Sequence, residues 1–428
     1  METASLYEYF LQCGSVSTDT RKITPGSIFF ALKGDNFNAN HFAQEALAKG
    51  AAFAVIDEAE YKTADNTLLV DDSLTALQQL ANHHRKQLGL PVIALTGSNG
   101  KTTTKELINA VLGAKYATKA TAGNLNNHIG VPLTLLSFTA DTEIGIVEMG
   151  ANHQKEIEFL CSIAEPNFGY ITNFGKAHLE GFGGYEGVIK GKSELYSYLK
   201  ENIKTVFVNL DDPIQKEKTE DIPRFTFAID NYNSDLRIEK TEASPMVTIT
   251  YNGNEIKTNL IGSYNIPNIC AAIAIGNYFK VSDAKIKTAL EDYTPNNNRS
   301  QLVEKGSNSI ILDAYNANPS SMAAALNNFI QLERDTKIAV LGDMFELGDE
   351  SPEEHKKIVH LLINHSDKVT FYFVGKEFYK HNPEKTNMNF FADYESFAKH
   401  FSSVKPTNAT ILIKGSRGMA LERTLELL

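Results

Sequence analysis

Residues 96–104 constrain the fold of this chain more than any other segment. They read Thr-Gly-Ser-Asn-Gly-Lys-Thr-Thr-Thr, follow the buried-strand pattern of residues 92–95 and precede a helical pattern over 105–112. A strand, a glycine-rich loop and a helix in this order are typical of a phosphate-binding loop, in which backbone N–H groups and a helix N-terminus face an anion. A glycine-rich turn that only caps the helix is the alternative, and the agreement of strand, Gly-Lys-Thr and helix disfavours it.

The loop predicts the contacts of a nucleotide. Lys101 would place its charge at the β- and γ-phosphates, and the Thr102 hydroxyl would bind Mg²⁺. The loop is shorter than the usual GxxxxGK[ST] pattern, because Leu95 stands where that pattern has its first glycine. We find no NKxD motif for guanine, so ATP is the expected nucleotide. The predicted nucleotide-binding residues of the loop are Gly97, Ser98, Asn99, Gly100, Lys101, Thr102 and Thr103.

Charge and cysteine content exclude several classes of protein. The chain has 41 Lys+Arg against 52 Asp+Glu, a net charge of −11. This balance argues against nucleic-acid binding but leaves room for a local basic pocket. No stretch approaches the roughly 18 apolar residues of a membrane span, and no export signal is visible at the start. Cys13, Cys161 and Cys270 are too far apart for a metal pair or a disulfide framework, so we expect a cytoplasmic protein.

Alternating strand and helix patterns predict an α/β fold with three domains. The 428 residues suffice for two or three domains of about 150 residues each. We place a small α/β module at residues 1–84 and a parallel sheet with crossover helices at 85–294, followed by a doubly wound α/β unit at 295–428. A hairpin around Asn252-Gly253 interrupts the central pattern, and a helical pattern closes the chain.

Two polar residues follow strands of the predicted central sheet. Glu148 ends the strand pattern of residues 144–147, and His178 lies just past the pattern of 168–171. Ligands of an open α/β sheet gather at the carboxyl ends of its strands, and Mg²⁺ favours carboxylate oxygens. Glu148 is therefore a natural Mg²⁺ ligand. Chemistry alone does not decide whether His178 is a metal ligand, a helix cap or a satisfied surface histidine. Lys190 and Lys192 are typical of a solvated basic helix face.

Three further segments resemble the Mur ligase family, and the loop is also similar to that of folylpolyglutamate synthases. The segments are residues 173–194 (Asn-Phe-Gly-Lys-Ala-His-Leu-Glu onward), 313–322 (Asp-Ala-Tyr-Asn-Ala-Asn-Pro-Ser-Ser-Met) and 341–348 (Leu-Gly-Asp-Met-Phe-Glu-Leu-Gly). They resemble the branch that adds D-alanyl-D-alanine to UDP-N-acetylmuramoyl-tripeptide, and the resemblance covers residues 17–417. It implies an N-terminal uridine-nucleotide-binding domain, a central phosphate-loop ATPase domain and a C-terminal Rossmann-like domain.

The resemblance also implies roles for individual residues. Lys101, His178, Lys192 and Arg299 would be catalytic, and Thr102, Glu148, His178 and Lys192 would hold Mg²⁺. Lys192 would be carbamylated, because a carbamate presents carboxylate-like oxygens whereas an ammonium repels the cation. Further nucleotide contacts would come from Asn268, Arg299, Asp313, Tyr315, Asn316 and Asn318. Substrate contacts would come from Ser17, Thr18, Asp19, Arg21, Lys33, Lys414 and Arg417.

The resemblance further implies the last cytoplasmic step of peptidoglycan-precursor synthesis, by a monomer using ATP through an acyl phosphate. Two positions depart from the family pattern: Asn298 stands where the family has glycine, and Tyr264 stands where it has histidine. The alternatives are another Mur ligase or a folylpolyglutamate synthase, and a phosphate-loop kinase or nucleotide-gated interaction protein.

Overall fold

Three α/β units follow one another in the computed structural model, which describes residues 1–428. Each unit is built on its own mainly parallel sheet, as the sequence predicts, and the α/β fold class is confirmed. All the cysteines are free. No helix combines the length and the apolar character needed to cross a membrane.

The first unit is a four-stranded parallel sheet in the order β1-β2-β5-β6, with a two-stranded hairpin, β3-β4, beside it. Its elements are α1 Thr3–Phe10, β1 Val16–Ser17, β2 Ile28–Phe30, β3 Lys33–Gly34, β4 Phe37–Asn38, α2 Ala43–Ala48, β5 Phe53–Ile56, β6 Thr67–Leu69 and α3 Ser73–Leu88, with 3₁₀ helices at Thr20–Lys22, Ala39–Phe42 and Ala59–Tyr61.

The central unit is a seven-stranded, fully parallel sheet in the order β13-β12-β11-β10-β7-β9-β8, followed by the antiparallel sheet β14-β15-β16. The predicted hairpin is formed by β15 and β16. The elements of the central unit are β7 Val92–Thr96, α4 Lys101–Gly113, β8 Thr118–Ala120, α5 Gly130–Leu136, β9 Ile144–Glu148, α6 Glu156–Ala164, β10 Phe168–Ile171, α7 Leu179–Phe182, α8 Tyr185–Glu201, β11 Thr205–Asn209, α9 Pro213–Lys218, β12 Arg224–Ile229, β13 Leu236–Ile238, β14 Lys240–Ala243, β15 Met246–Tyr251, β16 Asn254–Ile261, α10 Ile266–Tyr278 and α11 Asp283–Asp292, with a 3₁₀ helix at Ser263–Asn265.

The third unit is a six-stranded sheet in the order β17-β18-β22-β19-β20-β21, in which only β17 runs antiparallel. Its elements are β17 Gln301–Lys305, β18 Asn308–Asp313, α12 Pro319–Gln331, β19 Lys337–Gly342, α13 Ser351–Leu362, β20 Thr370–Val374, α14 Lys376–Tyr379, β21 Met388–Phe391, α15 Tyr394–Val404 and β22 Thr410–Lys414, with 3₁₀ helices at Gly348–Glu350, Ile363–His365, Arg417–Met419 and Leu421–Leu427.

The last segment of the chain is a 3₁₀ helix rather than the α-helix that its pattern suggests. Its buried residues are Leu421 and Thr424. Residues three apart lie on one face of a 3₁₀ helix, so this spacing buries both side chains on the same side.

The phosphate loop follows the middle strand of the central sheet. All five residues of β7 are buried, and β7 pairs with β10 on one side and β9 on the other. All three strands are parallel, so their carboxyl ends meet at one edge. This edge carries the loop, Glu148 and the segment that leads to His178.

Helix α3 docks the first unit on the central one. The buried Arg85 donates hydrogen bonds to the carbonyls of Ala164 (2.9 Å) and Glu165 (2.9 Å) and to Asn167 Oδ1 (2.8 Å). Burial lowers the pKa of the Arg85 guanidinium. The helix runs through the boundary predicted between residues 84 and 85, and that boundary stays a prediction.

We expect Arg85→Ala to lower the free energy of unfolding by about 3 kcal/mol, because it leaves buried acceptors without a donor. Arg334→Ala is the matched control, since Arg334 is exposed and bonds only the carbonyl of its neighbour Glu333. The measurement is urea unfolding followed by circular dichroism. Equal midpoints for the two variants would contradict the docking role of Arg85.

Candidate active site

A cleft of about 1070 Å³ lies between the central and third units. The loops that follow the parallel strands of both units line it. It therefore brings together most of the predicted nucleotide and metal residues: Ser98, Asn99, Gly100, Lys101, Thr103, Glu148, His178, Asn268, Arg299, Asp313, Tyr315, Asn316 and Asn318. Lys414, a predicted substrate residue, also lines it.

The phosphate loop needs glycine at two positions. Gly97 has φ +136°, and a Cβ there would stand 2.0 Å from Thr172 Oγ1. Gly100 has φ +78°, and a Cβ there would stand 2.6 Å from Asn268 Oδ1. Both the left-handed backbone and the close approach exclude a larger residue. The sequence interpretation of these glycines is consistent with this geometry.

The end of β10 braces the loop. Thr172 Oγ1 donates to the Asn99 carbonyl at 2.6 Å, and Asn173 Oδ1 accepts from the Asn99 N–H at 3.1 Å. Ser98 Oγ donates to the Gly175 carbonyl at 2.6 Å. The loop is thus held from the neighbouring strand before any ligand binds.

Lys101 lies over its own loop. Its Nζ donates to the carbonyls of Gly97 (2.7 Å) and Ser98 (3.2 Å). Burial, with a smaller contribution from the positive charge of Arg299, lowers the pKa of Lys101 to about 8. The ammonium lies at the loop, where a phosphate would bind. The negative charge of that phosphate would raise the pKa of Lys101 again.

Glu148 presents one free oxygen in a buried site. Its Oε1 accepts from Asn126 Nδ2 (2.8 Å) and Thr102 Oγ1 (3.3 Å), whereas the buried Oε2 has no hydrogen-bond partner. Lys105 Nζ is 4.0 Å from Oε2. An unpartnered buried carboxylate oxygen beside a threonine hydroxyl suits a hard cation such as Mg²⁺.

No group of three or more His, Cys, Asp or Glu side chains converges to chelate a metal without help. Mg²⁺ commonly keeps its waters and takes one or two carboxylates together with nucleotide phosphates. The residues present therefore fit a cation that arrives with a nucleotide.

His178 lies at the start of α7 with φ +52°, but its side chain does not cap the helix. The imidazole is partly buried, and its Nδ1 is 2.5 Å from Glu346 Oε2 in the third unit. It is therefore not a helix cap.

Lys192 is fully buried, which makes the interpretation as a solvated basic face wrong for this residue. Its Nζ donates to the Ala151 carbonyl at 3.0 Å and lies 4.9 Å from the Phe182 ring centroid. Burial, together with the charge of nearby Lys101, lowers the pKa of Lys192 well below its usual value. Lys190, two residues earlier, is exposed as that interpretation requires.

Arg299 enters the cleft from the linker between the central and third units. Its guanidinium stacks on Tyr315, 3.8 Å from the ring centroid, and its buried Nε has no hydrogen-bond partner. Asp313 accepts from the Ser300 N–H and pairs with Lys414 Nζ at 2.6 Å. The contact with Tyr315 holds the guanidinium beside the cleft, and the Nε has no partner within the protein.

The two departures from the family pattern have structural explanations. Asn298 has φ +56°, a conformation in which glycine is favoured and asparagine is tolerated best among the other residues. The Tyr264 hydroxyl is 2.8 Å from Ser300 Oγ, so it ties the central unit to the segment that carries Arg299.

Asparagines join the third unit to the phosphate loop. Asn318 caps α12 through Ser321 and also donates to Asn99 Oδ1 at 2.7 Å. Asn268 accepts from Thr104 Oγ1 and donates to Asn265 Oδ1, so protein contacts occupy part of its hydrogen-bonding capacity. Asn316 accepts from the Ala317 N–H. The turn before Pro319 therefore has both a structural role and a contact with the loop.

The predicted substrate residues of the first unit do not line the large cleft. Arg21 pairs with Asp19, and this pairing lowers the pKa of Asp19 to about 2. Lys33 pairs with the buried Asp57 at 3.1 Å beside a second hollow of about 480 Å³. Ser17 ends β1, and Thr18 follows it directly before Asp19. Arg417, which also lies outside the large cleft, is exposed and pairs with Glu422.

The sequence analysis missed one segment that lines the cleft and one buried lysine close to Glu148. The segment that contains Asn124, Asn126, Asn127 and His128 lines it, and Asn126 bonds the Glu148 carboxylate. Its run of asparagines before a helix was the available signal. Lys105 is fully buried below Glu148 and donates to the Thr121 carbonyl at 2.5 Å. Nothing in the sequence distinguishes it from a surface lysine of α4.

The fold and the cleft define a three-domain enzyme of the phosphate-loop class. Family models match nearly the whole chain: the Mur ligase family catalytic domain over residues 13–85, the Mur ligase middle domain over 95–276 and the Mur ligase glutamate ligase domain over 298–417. The chain belongs to the Mur ligase family.

Individual proteins similar to this chain carry more specific names than the family models. A UDP-N-acetylmuramoyl-tripeptide–D-alanyl-D-alanine ligase of Bacillus subtilis is 35% identical over 96% of this chain and 92% of its own length. A crystal structure of MurF from Acinetobacter baumannii matches with a TM-score of 0.85 and 30% identity, over 99% of this chain and 97% of that one. MurF from Thermotoga maritima, in complex with ADP, matches with a TM-score of 0.82 and 27% identity over 98% and 97%.

We expect Gly100→Ala to abolish ATP binding, because the added methyl would displace Asn268 and the loop. Gly253→Ala is the control: Gly253 has a similar φ of +69° in the hairpin, with open space around its Cβ position. Both variants bear the left-handed penalty of roughly 1–2 kcal/mol. Isothermal titration with ATP measures the difference. Wild-type affinity in Gly100→Ala would show that the close approach is not required.

Proposed function

We propose that this chain is an ATP-dependent ligase that joins D-alanyl-D-alanine to UDP-N-acetylmuramoyl-tripeptide. One observation carries the proposal: the carboxyl edges of two sheets converge on one cleft that holds Lys101, Arg299 and Glu148. The cleft can thus hold a nucleotide on the central unit while the third unit covers it. The names of the relatives and the matching family models support the choice of substrates.

The reaction must first activate a carboxylate, which is a poor electrophile. The terminal carboxylate of the tripeptide attacks the γ-phosphorus of ATP, the bond to the β-phosphate oxygen breaks, and ADP leaves. The amine of D-alanyl-D-alanine then attacks the acyl carbon and loses a proton. The tetrahedral adduct expels inorganic phosphate and leaves an amide.

The side chains of the cleft serve this chemistry by position and charge. Phosphoryl transfer depends mainly on aligning the reactants and neutralising charge. Lys101 would bind the β- and γ-phosphates beside the loop N–H groups. Arg299, held against Tyr315, would place its guanidinium against the transferring phosphoryl group.

Thr102, Glu148, His178 and a carbamylated Lys192 would hold Mg²⁺. When bound, the cation would neutralise phosphate charge, while Glu148 would contribute the buried oxygen that accepts no hydrogen bond from the protein. Lys192 is suited to carbamylation because its burial favours the neutral amine. That nitrogen adds to the carbon of CO₂ and its proton passes to solvent, so that a neutral buried group becomes an anionic one.

Ser17, Thr18, Asp19, Arg21 and Lys33 would bind the uridine nucleotide on the first unit. Asp313, Tyr315, Asn316, Asn318 and Asn268 would surround the ATP, and Lys414 and Arg417 would lie toward the peptide. One chain supplies every one of these residues, so a monomer suffices. Both substrates are cytoplasmic intermediates in this scheme, and the work of the enzyme would therefore lie in the cytoplasm.

The ligation assay tests the proposal. We expect phosphate release from ATP only when both UDP-N-acetylmuramoyl-tripeptide and D-alanyl-D-alanine are present, in step with a new amide found by mass spectrometry. Glutamate with a folate, offered in place of these substrates, serves as the control for a folylpolyglutamate synthase. ATP hydrolysis that needs neither substrate would instead indicate a nucleotide switch.

We expect Lys192→Ala to lower the ligation rate at least tenfold, roughly the loss seen when groups around a metal are removed. The exposed Lys190→Ala is the matched control and should keep the wild-type rate. In ¹³C-bicarbonate, the wild-type protein and Lys190→Ala should show a carbamate carbon by NMR that Lys192→Ala lacks. Wild-type ligation by Lys192→Ala at ambient bicarbonate would defeat the carbamate proposal.

A further inference from the structure

The central and third units meet beside the cleft through charged side chains. Lys176 Nζ lies 2.8 Å from Glu354 Oε1, and the Lys176 N–H donates to Ser320 Oγ at 2.8 Å. Two residues further on, His178 meets Glu346. Lys176 and His178 lie on the segment after β10, and the carboxylates belong to the third unit. The unit that covers the cleft is therefore also in contact with His178.

The contact between His178 and Glu346 is closely defined. The His178 Nδ1 is shielded from solvent, and Glu346 Oε2 is 2.5 Å away, yet Nδ1 makes no well-aligned hydrogen bond. His178 has φ +52° and Glu346 has φ +62°, conformations that residues other than glycine rarely adopt. Such backbone persists where the surrounding structure requires it. Two residues on different units are thus both held in unusual conformations at the point where they meet.

The energetic value of this pair is small. The Glu346 side chain is 53% exposed, so solvent screens its charge. The buried Glu354, with 6% exposure, is better placed to hold the units together. The contribution of Glu346 is therefore to the orientation of the imidazole rather than to stability.

We propose that Glu346 is a positioning residue for His178. Its carboxylate oxygen already lies 2.5 Å from Nδ1, and once the two groups align it would accept the Nδ1–H and so select the tautomer in which Nε2 carries the lone pair. His178 Nε2 makes no hydrogen bond within the protein, and the side chain lines the cleft. An acceptor behind an imidazole fixes both its tautomer and its direction. Since Glu346 comes from the third unit, closure of that unit prepares the imidazole to act as a ligand.

This inference rests on the proposed function only in taking Nε2 as a ligand for a divalent cation. The side-chain pairing itself can be tested without metal or substrate. Glu346→Ala removes the acceptor, and Glu346→Gln keeps the shape without the charge. Glu350→Ala and Glu350→Gln are matched controls, because Glu350 is an exposed carboxylate of the same loop.

The first readout is ¹⁵N NMR of protein labelled at histidine, with EDTA, in the presence and absence of a non-hydrolysable ATP analogue. The His178 signals are assigned from their loss in His178→Gln. We expect the Nδ1–H tautomer in the wild type and in both Glu350 variants. In Glu346→Ala the ring should shift toward the Nε2–H tautomer, with an intermediate position in Glu346→Gln.

The second readout is the affinity for Mn²⁺ with ATP present, measured by electron paramagnetic resonance. We expect it to fall about tenfold in Glu346→Ala, with kcat falling similarly and the KM for the tripeptide nucleotide changing less than twofold. Identical tautomers and Mn²⁺ affinities in Glu346→Ala and Glu350→Ala would overturn the inference. Absence of ligation by the wild type would overturn the proposed function instead, while the tautomer measurement would still test the pairing.

Discussion

The site depends on how closely the phosphate loop approaches its neighbours. Gly97 lies against Thr172 and Gly100 against Asn268, at distances that leave no room for a side chain. These contacts shape the loop and so set where its N–H groups point. They also determine the position of Lys101, because α4 starts at that residue. The anion site is therefore built from packing between backbone and side chains before any charge is considered.

Sheet order determines what the loop faces. Because β7 lies between β10 and β9, the residues that follow these strands surround the loop from both sides. The third unit adds a second carboxyl edge, where Asp313 and Lys414 are register partners on neighbouring strands. The cleft thus places the cations Lys101 and Arg299 beside carboxylates such as Glu148 and Asp313, in a protein whose net charge is −11. Net charge argues against extended nucleic acid and is uninformative about a nucleotide held in one cleft.

The sequence predicts those parts of the site that depend on local pattern. The loop stands out because strand, glycines and helix are contiguous, and Glu148 stands out because it ends a buried strand. Edge strands such as β8 and β13, with three residues each, carry too short a pattern to be recognised. The burial of Lys192 and Lys105 depends on which elements pack over α8 and α4. Pairing of His178 with Glu346 depends on how two units dock, which no local pattern encodes.

The cross-domain ion pair contributes little to holding the cleft shut. An ion pair with one exposed partner contributes about 0–1 kcal/mol, and in the Lys176–Glu354 pair the lysine is partly exposed. Contacts of this polar kind between domains permit relative motion. A cleft that must admit two large anions and then exclude water benefits from that balance, since water would hydrolyse an acyl phosphate. Packing holds the phosphate loop rigidly, so the reacting groups keep a defined orientation. The ion pair between the central and third units is weak, so closure of the cleft stays reversible.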